Sequence, residues 1–470
     1  MEGACTTDAD LPGASMRSEL VLSPVFRKVE MPSIDVDRHP HRQEGRNAVV
    51  RFIHTSDWQL GMTRHYLDSD AQPRFTGDRV ETVRRIMSLA VERGCAFVVV
   101  AGDVFEHPNL GAKDIGRALE AMGSQDVPLF LLPGNHDPLG TGSIWNSPTL
   151  RDRLPGNVTV LDRAGTWPVS PGLEILAAPW TSKRPDTDPV TGVLDGAEAD
   201  GTVRVLVGHG MLEELEPDAA SPVTVHRAPL DAALADGRIH YAALGDRHIR
   251  WPLSEDSSIR YSGAHESTSF REPGQGHVLD VEIPDDGGKP LVTAVPVGQW
   301  QHVVLRHRVD GSQDIQALAE RLDQLRPKER TVVKTALAGS LTVTERAALD
   351  DVLETRAPLF AALLEWDRHT DLVVQPDSQE LGDLDVSGYV REAVDQLLAL
   401  SGSTPSGPPD SSGTAEGASP VADADLPDET ALREAAHDVE DDLPRLHEPS
   451  TEEAAQDALR LLVRFTGGAR

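Results

Sequence analysis

Polar side chains that can bind a metal ion follow five short apolar runs in this sequence. The most apolar run, residues 96–101, leads through Gly102 into Asp103, and four other runs end in the same manner. Short β-branched runs of this kind predict buried strands of a parallel sheet, and the carboxyl ends of such strands meet at one edge. The ligands that would meet at this edge are Asp57, Gln59, Asp103, Asn135, His209, Asp246 and His248. Their types and positions predict a metal site.

Oxygen and imidazole ligands in this number can hold two divalent ions that share one carboxylate. Asp103 is the expected bridge, because its strand is the most apolar and is therefore predicted to be central. The other expected ligands are Asp57, Gln59 and His248 for one ion, and Asn135, His209 and Asp246 for the other. Two ions about 3.5–4 Å apart can activate a water and neutralise both oxygens of an in-line phosphoryl displacement. Ligands without sulfur favour Mn²⁺, with Mg²⁺ as the alternative, over structural zinc.

Further residues near the same strand ends are candidates for contact with a phosphate substrate. His136 lies next to Asn135 and is left over from the ligand count. We expect it to protonate the leaving oxygen or to stabilise charge on the phosphate. Three arginines are candidates for contacts with phosphate groups, although arginines at a surface are more often simply solvated. They are Arg64, Arg247 and Arg250.

The composition of the chain bounds its class. Its 470 residues, of which 39% are hydrophobic, suffice for one large core and a second domain. A formal net charge of −32 argues against a nucleic-acid substrate unless the negative charge is concentrated away from the site. Cys5 and Cys95 are the only cysteines, which excludes a disulfide framework and a thiolate zinc cluster. The sequence shows neither a secretory signal nor an apolar run of roughly 20 residues, so we expect a cytoplasmic protein without a membrane segment.

Strand and helix patterns alternate from residue 49 onward, after a polar leader at 1–47 that we predict to be disordered. The alternation predicts parallel strand pairing with crossover helices. Two later strands, at 258–262 and 277–283, follow one another without a helix and predict an antiparallel second sheet. The fold class expected for residues 49–297 is therefore α/β, a two-sheet β-sandwich flanked by helices.

The rest of the chain divides by composition into four segments. Residues 298–378 alternate between strand and helix patterns and predict a small α+β domain. Residues 385–400, with Ser387 as the N-cap, predict one helix. Residues 401–453 are rich in proline, serine, glycine and acidic side chains and predict a disordered acidic linker, which holds much of the negative charge. Residues 454–466 have an apolar helical face without a core of their own and predict a helix that docks on a partner or on the chain itself.

Six short motifs give the sequence a resemblance to a known family. They are HTSDWQLG at 54–61, GDVF at 102–105, GNHD at 134–137, GHG at 208–210, GDRH at 245–248 and YSG at 261–263. In this order they resemble the motifs of calcineurin-like metallophosphoesterases, and the first and last resemble the SbcD nuclease branch of that family. The resemblance implies the calcineurin-like phosphoesterase fold for residues 49–297 and identifies the α+β unit at 298–378 as similar to the branch's capping domain.

The resemblance also implies a substrate and partners. Members of the SbcD branch process DNA ends in a repair complex with SbcC, a long coiled-coil ATPase, and the resemblance implies a homodimer. The sequence therefore favours a metal-dependent DNA exonuclease or endonuclease of a repair and recombination complex. Two alternatives stay open: a phosphoesterase acting on a small nucleotide-type substrate, and a metal-poor scaffold without catalysis.

Two positions depart from the family pattern, which has histidine where Gln59 and Asp246 stand. A neutral amide is a weaker ligand than imidazole, and an anion in place of a neutral ligand lowers the net positive charge of the metal cluster. We therefore expect looser binding of the first ion, a stronger preference for Mn²⁺ or Mg²⁺, and slower hydrolysis.

Overall fold

The computed structural model describes residues 49–216, 221–252, 257–272, 274–284, 287–375 and 389–400, together with residues 451, 454, 455 and 458. The leader predicted at 1–47, the N-cap Ser387, and most of the linker and docking helix predicted at 401–466 lie outside these residues. The four described residues near the C terminus are helical, so helix is already present at residue 451, inside the predicted linker.

The described part of the chain contains both strands and α-helices. In chain order the strands are β1 (Val49–Thr55), β2 (Phe97–Val100), β3 (Leu129–Leu131), β4 (Val158–Val160), β5 (Gly165–Ser170), β6 (Leu173–Ala178), β7 (Val203–His209), β8 (Tyr241–Gly245), β9 (Ile259–Tyr261), β10 (His277–Pro284), β11 (Leu291–Pro296), β12 (Gln301–Arg308), β13 (Thr331–Thr342), β14 (Ala362–Glu365) and β15 (Asp371–Gln375). The α-helices are α1 (Ala71–Glu92), α2 (Ala112–Met122), α3 (Pro148–Arg151), α4 (Pro189–Leu194), α5 (Arg227–Ala235), α6 (Ser312–Gln324), α7 (Val343–Arg356) and α8 (Tyr389–Leu400).

Two mixed sheets form the part of the fold that positions the site. The first has six strands in the order β11-β10-β1-β2-β3-β4, of which β1 to β4 are parallel, while β10 and β11 run antiparallel to their neighbours. The second has five strands in the order β5-β6-β7-β8-β9, with β6 to β9 parallel. The predicted two-sheet sandwich flanked by helices is confirmed.

The pairing predicted between the strands at 258–262 and 277–283 is wrong. β9 is the parallel edge strand of the second sheet, and β10 pairs antiparallel with β1 in the first sheet. The absence of a helix between two consecutive strands does not show that they pair with each other. Here the chain passes from the second sheet to the first between β9 and β10. The two strands also bury their side chains in different places. Val281 of β10 packs between the two sheets, whereas Ile259 of β9 packs beneath the helices that cover the second sheet.

Apolar side chains fill the space between the two sheets and cover both outer faces. Phe52 of β1 stacks on Phe97 of β2 with ring centroids 4.7 Å apart, and Tyr241 of β8 meets Phe52 edge-on from the opposite sheet. Helices α1 and α2 cover the outer face of the first sheet, and α4 and α5 cover that of the second. Burying both faces of each sheet explains why the strands read as continuous apolar runs.

A third sheet follows the sandwich and has its own core. Strand β13 pairs in parallel with β12, β14 and β15, and the apolar faces of α6 and α7 pack on them. Sequence periodicity predicted both helices and three of these strands, but missed β14. Contacts with α1 join this sheet to the sandwich: the rings of Phe75 and Trp300 lie 4.9 Å apart, and Arg330 donates to Asp78 at 2.8 Å. The boundary predicted between domains at residue 298 stays a prediction.

The helix predicted at residues 385–400 is α8, whose described part begins at Tyr389. Throughout the described ranges, every helix is too short or too polar to cross a lipid bilayer.

Candidate metal centre

The carboxyl ends of β1, β2 and β3 from the first sheet meet those of β7 and β8 from the second. Backbone hydrogen bonds hold the loops together: the Asp57 N–H donates to the Gly102 carbonyl at 3.1 Å, and the Gln59 N–H donates to the Asp103 carbonyl at 2.8 Å. Across the sandwich, His209 Nδ1 donates to the Ala101 carbonyl at 2.8 Å. The predicted ligands of both sheets therefore lie at one shared edge.

Backbone strain is concentrated at this edge. Among the described residues, the non-glycine positions with positive φ are Asp57 (53°), Gln59 (40°), Asp103 (54°) and Asp246 (92°). All four are predicted metal ligands. Left-handed backbone costs such residues of the order of 1–3 kcal/mol each and persists where a function requires the geometry. The strain thus marks the same residues that the sequence motifs mark.

Two glycines allow the sheets to approach each other this closely. A Cβ atom on Gly102 would lie 2.0 Å from His209 Nδ1, and one on Gly245 would lie 1.9 Å from the Ala101 carbonyl oxygen. No larger residue fits either position without moving the strand ends apart. The Gly-Asp pairs at 102–103 and 245–246 therefore combine close approach with a ligand at the next residue.

Lone pairs of three buried side chains converge around Asp103. Because His209 Nδ1 carries the proton donated to Ala101, its Nε2 faces Asn135 Oδ1 at 2.8 Å and Asp103 Oδ1 at 3.4 Å. Ligand atoms of Asp57, Asp103 and His209 all lie within 4.8 Å of one another. Acceptors that face one another in this way are stabilised by a cation between them, so the residues present fit a divalent metal ion.

The Asn135 amide can face the cluster in either of two orientations. Turned over, its NH₂ group would donate to His209 Nε2 at 2.8 Å and to both Asp103 oxygens at 3.1 Å. That arrangement satisfies the acceptors without a cation, whereas the arrangement with Oδ1 inward requires either a proton on His209 Nε2 or a metal ion between the acceptors. The amide can therefore serve a metal-bound and a metal-free state.

Carboxylates around His209 favour positive charge at the same place. Burial alone would lower the pKa of His209, but the negative charges of Asp103, Asp246 and Asp57 outweigh it and raise that pKa well above its ordinary value. Burial by itself would raise the pKa of Asp103, but His209 and His136 together bring that pKa below its usual value. Either a proton or a metal ion at His209 Nε2 would be stabilised by the negative charges of these carboxylates.

Gln59 and His248 present their free ligand atoms from two different loops. Gln59 is 2% exposed, and its Oε1 has no hydrogen-bond partner among the described residues. His248 Nδ1 lies 2.9 Å from Glu272 Oε1 and 3.1 Å from Thr268 Oγ1. A carboxylate on Nδ1 fixes the imidazole tautomer and leaves Nε2 for a metal ion.

Asp57 and Asp246 complete the cluster. The Asp246 N–H donates to Asp57 Oδ1 at 3.1 Å, Ser56 Oγ donates to Asp57 Oδ2 at 2.6 Å, and Asp246 Oδ1 lies 3.7 Å from His209 Nε2. Burial raises the pKa of Asp57, and it raises the pKa of Asp246 to about 6. Carboxylates that are costly to ionise alone are suited to binding a cation.

His136 lies beside the cluster, on the turn that carries Asn135. Its N–H donates to Asp103 Oδ1 at 2.9 Å, its Nδ1 lies 3.0 Å from the Glu106 carbonyl, and its Nε2 lies 3.9 Å from Asp103 Oδ2. Buried Asp137 holds this turn by accepting from the N–H groups of Gly134 and Phe105. Burial raises the pKa of Asp137 to about 7.

The three candidate arginines lie on neighbouring loops, and their contact with phosphate stays a prediction. Arg64 Nε donates to the Thr268 carbonyl at 3.0 Å, next to the support of His248. Arg247 and Arg250 flank His248 in the sequence and are half-buried. Arg250 lies near His277, whose pKa is lowered by burial and, to a smaller extent, by this arginine.

Sequence reasoning missed several residues that support the site. Glu272 follows His248 by more than twenty positions and is linked to it by no motif. Trp180 Nε1 donates to the His209 carbonyl at 2.7 Å, although β6, which precedes it, was not predicted. Lys183 and Arg184 follow on the same loop and line a cleft beside His136. For Lys183 and Arg184, the only signal in the sequence was a polar segment directly after an apolar one.

Comparisons with known proteins agree with this geometry. Residues 50–256 match the family model described as Calcineurin-like phosphoesterase. This part of the chain is a calcineurin-like phosphoesterase domain, and the family resemblance seen in the motifs is confirmed. The match supports a metal-dependent phosphoesterase, and the cluster around Asp103 fits that chemistry.

A curated relative and a solved structure show more limited similarity. The DNA double-strand break repair protein Mre11 of Archaeoglobus fulgidus is 31% identical over 91 residues, which make up 19% of this chain and 19% of that protein. The chain thus aligns with about a fifth of the length of this relative. The crystal structure of TT1561 of Thermus thermophilus has a TM-score of 0.33 and 10% identity, covering 53% of this chain and 100% of that one.

Proposed function

We propose that this protein hydrolyses phosphodiester bonds in DNA, as the metal-dependent nuclease of a complex that processes DNA ends. The observation that carries the proposal is the convergence of carboxylate, amide and imidazole lone pairs from both sheets around Asp103. The similarity of a 91-residue stretch to an Mre11 protein supports DNA as the substrate. Whether the cleavage is exonucleolytic or endonucleolytic is a question for the assay below.

The chain's own residues divide the work in this mechanism. Two divalent ions, Mn²⁺ by the ligand chemistry, supply charge neutralisation and an activated water when bound. Gln59, His248 and Asp57 would hold one ion, Asn135, His209 and Asp246 would hold the other, and Asp103 would be available to both. His136 donates its Nδ1 proton to the Glu106 carbonyl, and its Nε2 lies 3.9 Å from Asp103 Oδ2, beside the cluster where the scissile phosphate would bind; in the imidazolium form Nε2 also carries a proton. From there Nε2 can give a proton to the leaving oxygen.

Further parts of the proposal concern partners and location. A coiled-coil ATPase of the SbcC type and a second copy of the chain are the proposed partners, and the segment predicted at 454–466 is the proposed docking helix. Cys95 is a free thiol, which supports a reducing compartment such as the cytoplasm.

A nuclease assay with a small-substrate arm tests the proposal. Purified full-length protein is incubated with Mn²⁺ and end-labelled single- and double-stranded DNA, and separately with bis(p-nitrophenyl) phosphate and with nucleotides. We expect Mn²⁺-dependent DNA cleavage that EDTA abolishes and that Asp103→Ala reduces by at least a thousandfold. Asp152→Ala, which removes an exposed carboxylate after α3, is the matched control and retains full activity.

The same assay separates the alternatives. Hydrolysis of nucleotides without cleavage of DNA would replace the nuclease by a small-substrate phosphoesterase. Absence of hydrolysis with every substrate, together with absence of Mn²⁺ binding in calorimetry, would identify a metal-poor scaffold.

A further inference from the structure

A cleft of about 340 Å³ opens beside the metal cluster. It is lined by Glu106, Asn135, His136, Trp180, Lys183 and Arg184. Asn135 and His136 connect it directly to the cluster, since Asn135 Oδ1 lies 2.8 Å from His209 Nε2 and His136 Nε2 lies 3.9 Å from Asp103 Oδ2. A DNA strand whose scissile phosphate is at the cluster can therefore continue into this cleft.

The loop after β6 forms the far wall of the cleft and is anchored at its base by Trp180. The Trp180 N–H donates to the Pro133 carbonyl at 3.1 Å, and its carbonyl accepts from the Leu139 N–H at 2.9 Å. Its buried indole donates to the His209 carbonyl at 2.7 Å. These bonds tie the loop to the turns that carry Asn135 and His209, so the cations three and four residues later are held close to the cluster.

Lys183 and Arg184 give the far wall a positive charge. Both side chains are exposed, and within the described ranges neither forms an ion pair. The one acidic side chain of the cleft, Glu106, has its carboxylate 3.7 Å from His136 Nδ1. In a chain with a formal net charge of −32, two adjacent cations beside a metal cluster are a local reversal of charge that favours an anionic ligand.

We propose that Lys183 and Arg184 bind the backbone phosphate of a nucleotide adjacent to the scissile bond. The inference rests on the proposed function and adds a subsite to it. The volume of the cleft is near the lower end of the range for small-ligand sites, and a double helix is too wide to enter it. The subsite therefore selects a single-stranded end, or one strand of an opened duplex, bound through its phosphates and not through its bases.

Salt-dependent binding provides the first test. Affinity for a fluorescent single-stranded oligodeoxythymidine is measured in EDTA at several salt concentrations, for wild type and for the double variant Lys183→Ala/Arg184→Ala. Each phosphate contact to a single strand contributes about 0.7 to the slope of log affinity against log salt concentration. Because the two cations share one phosphate, we expect the slope to become shallower by about 0.7. The control double variant Lys113→Ala/Arg151→Ala, which removes one exposed lysine and one exposed arginine elsewhere, leaves the slope unchanged.

Comparison of two substrates provides the second test. kcat/KM with Mn²⁺ is measured on the oligonucleotide and on bis(p-nitrophenyl) phosphate, which has no neighbouring phosphate. In the Lys183→Ala/Arg184→Ala protein, the ratio of the two kcat/KM values falls about tenfold, because two charge-assisted contacts are lost on one substrate only. A neutral methylphosphonate placed one nucleotide from the scissile bond lowers wild-type kcat/KM and removes the difference between wild type and variant.

The outcomes for the subsite and for the proposed function are distinct. An unchanged salt slope and an unchanged kcat/KM ratio in the double variant would overturn the subsite while leaving the nuclease proposal intact. A wild-type protein that cleaves no DNA would overturn the nuclease proposal, and the salt slope in EDTA would still decide whether Lys183 and Arg184 bind phosphates.

Discussion

The carboxylate of Glu272 lies where it can set the orientation of His248 without touching a substrate. It is 6% exposed, contacts His248 Nδ1 at 2.9 Å, and accepts from the Thr268 N–H at 2.6 Å. Thr268 Oγ1 also donates to it. A carboxylate fixed in this way directs His248 Nε2 towards the cluster, and such supports commonly affect metal affinity by 10–100-fold.

Substitution of Glu272 should therefore weaken metal binding in a graded manner. Glu272→Gln keeps the shape but loses the charge, so Mn²⁺ binding at the first ion weakens about tenfold, and Glu272→Ala weakens it further. Isothermal calorimetry with Mn²⁺ measures both. Exposed Glu320→Gln is the control. Equal Mn²⁺ affinity in all three variants, with only thermal stability reduced, would show that Glu272 has a purely structural role.

Gln59 is the ligand position where a histidine is expected to improve the site. Its Oε1 is buried without a hydrogen-bond partner in the described structure, so this oxygen is available to a ligand. In Gln59→His, imidazole replaces a weaker neutral amide, and we expect Mn²⁺ affinity at the first ion to rise about tenfold and hydrolysis to become faster. Calorimetry and a Mn²⁺ titration of bis(p-nitrophenyl) phosphate hydrolysis measure this. Wild-type protein that already binds two ions equally tightly would contradict the expectation.

At the residue scale, the sequence indicated which candidate ligands lie close together but did not indicate the residues that support them. Asp57, Asp103 and His209 were predictable, because each follows an apolar run and parallel strands bring such positions to one edge. Glu272 was not predictable, because its partner is fixed by a loop that crosses between the sheets. The left-handed backbone of Gln59 could not be predicted either, since local preference disfavours it and only tertiary contacts maintain it.

At the element scale, the contact between the ends of β2 and β8 is what brings the two sheets to one site. Gly245 ends β8 so close to β2 that an added Cβ would lie 1.9 Å from the Ala101 carbonyl oxygen. That oxygen also accepts from His209 Nδ1 at 2.8 Å. Displacement of either strand end would therefore move a ligand from each sheet.

Gly245→Ala should damage both stability and metal binding. We expect it to lower the free energy of unfolding by about 3 kcal/mol or more, since the clash is with backbone that cannot rotate away. Gly77→Ala is the matched control: it lies within α1, a Cβ there meets nothing within 4 Å, and it should raise stability by about 0.5–1 kcal/mol. Urea unfolding of both variants measures the difference. Equal stability of the two variants would show that the strand ends can separate without cost.

Element prediction from this sequence succeeded for local structure and for the parallel pairing of the strands joined by helices, but failed for the pairing of β9 with β10. The helix patterns of α6 and α7 were visible because one face of each is apolar at helical spacing. The sheet assignment of β9 and β10 was wrong, because pairing depends on which face each strand buries after the chain turns. β14, with four residues, is too short to show an alternating pattern.

At the scale of the whole molecule, buried histidines make the fold sensitive to acid. His302 lies between the sandwich and the third sheet, with Tyr66 Oη at 2.9 Å from Nε2 and Ser267 Oγ at 2.9 Å from Nδ1. Burial lowers the pKa of His302 to about 4, with Glu272 opposing this shift and Arg64 and Arg79 adding to it.

The sign of the pH dependence follows from this pKa. In the unfolded chain His302 binds a proton near pH 6.5, whereas in the folded protein it stays neutral until about pH 4. The stability contributed by burying neutral His302 is therefore fully present above pH 6.5. It is lost as the pH falls from 6.5 towards 4, because the unfolded chain then binds a proton that the folded protein does not. Between pH 7 and pH 5.5 the loss should be about 1 kcal/mol.

Comparison of two histidine variants isolates this contribution. From pH 7 to pH 5.5, wild type should lose about 1 kcal/mol more free energy of unfolding than His302→Gln, as measured by urea unfolding in EDTA. Other buried histidines, such as His54, are present in both proteins and cancel. Exposed His107→Gln should lose as much as wild type. A His302→Gln protein with the pH dependence of wild type would contradict the assignment.

The origin of the ligands in two different sheets has a thermodynamic consequence for the whole fold. Asp57, Asp103 and Asn135 follow strands of the first sheet, whereas His209, Asp246 and His248 follow strands of the second. Cations bound between them would act as reversible cross-links across the sandwich, and at a hundred times the dissociation constant each independent ion would add about 2.7 kcal/mol to the free energy of unfolding. Preparations of identical sequence should then melt at different temperatures according to the manganese they carry, and dialysis against chelator should bring them to one value.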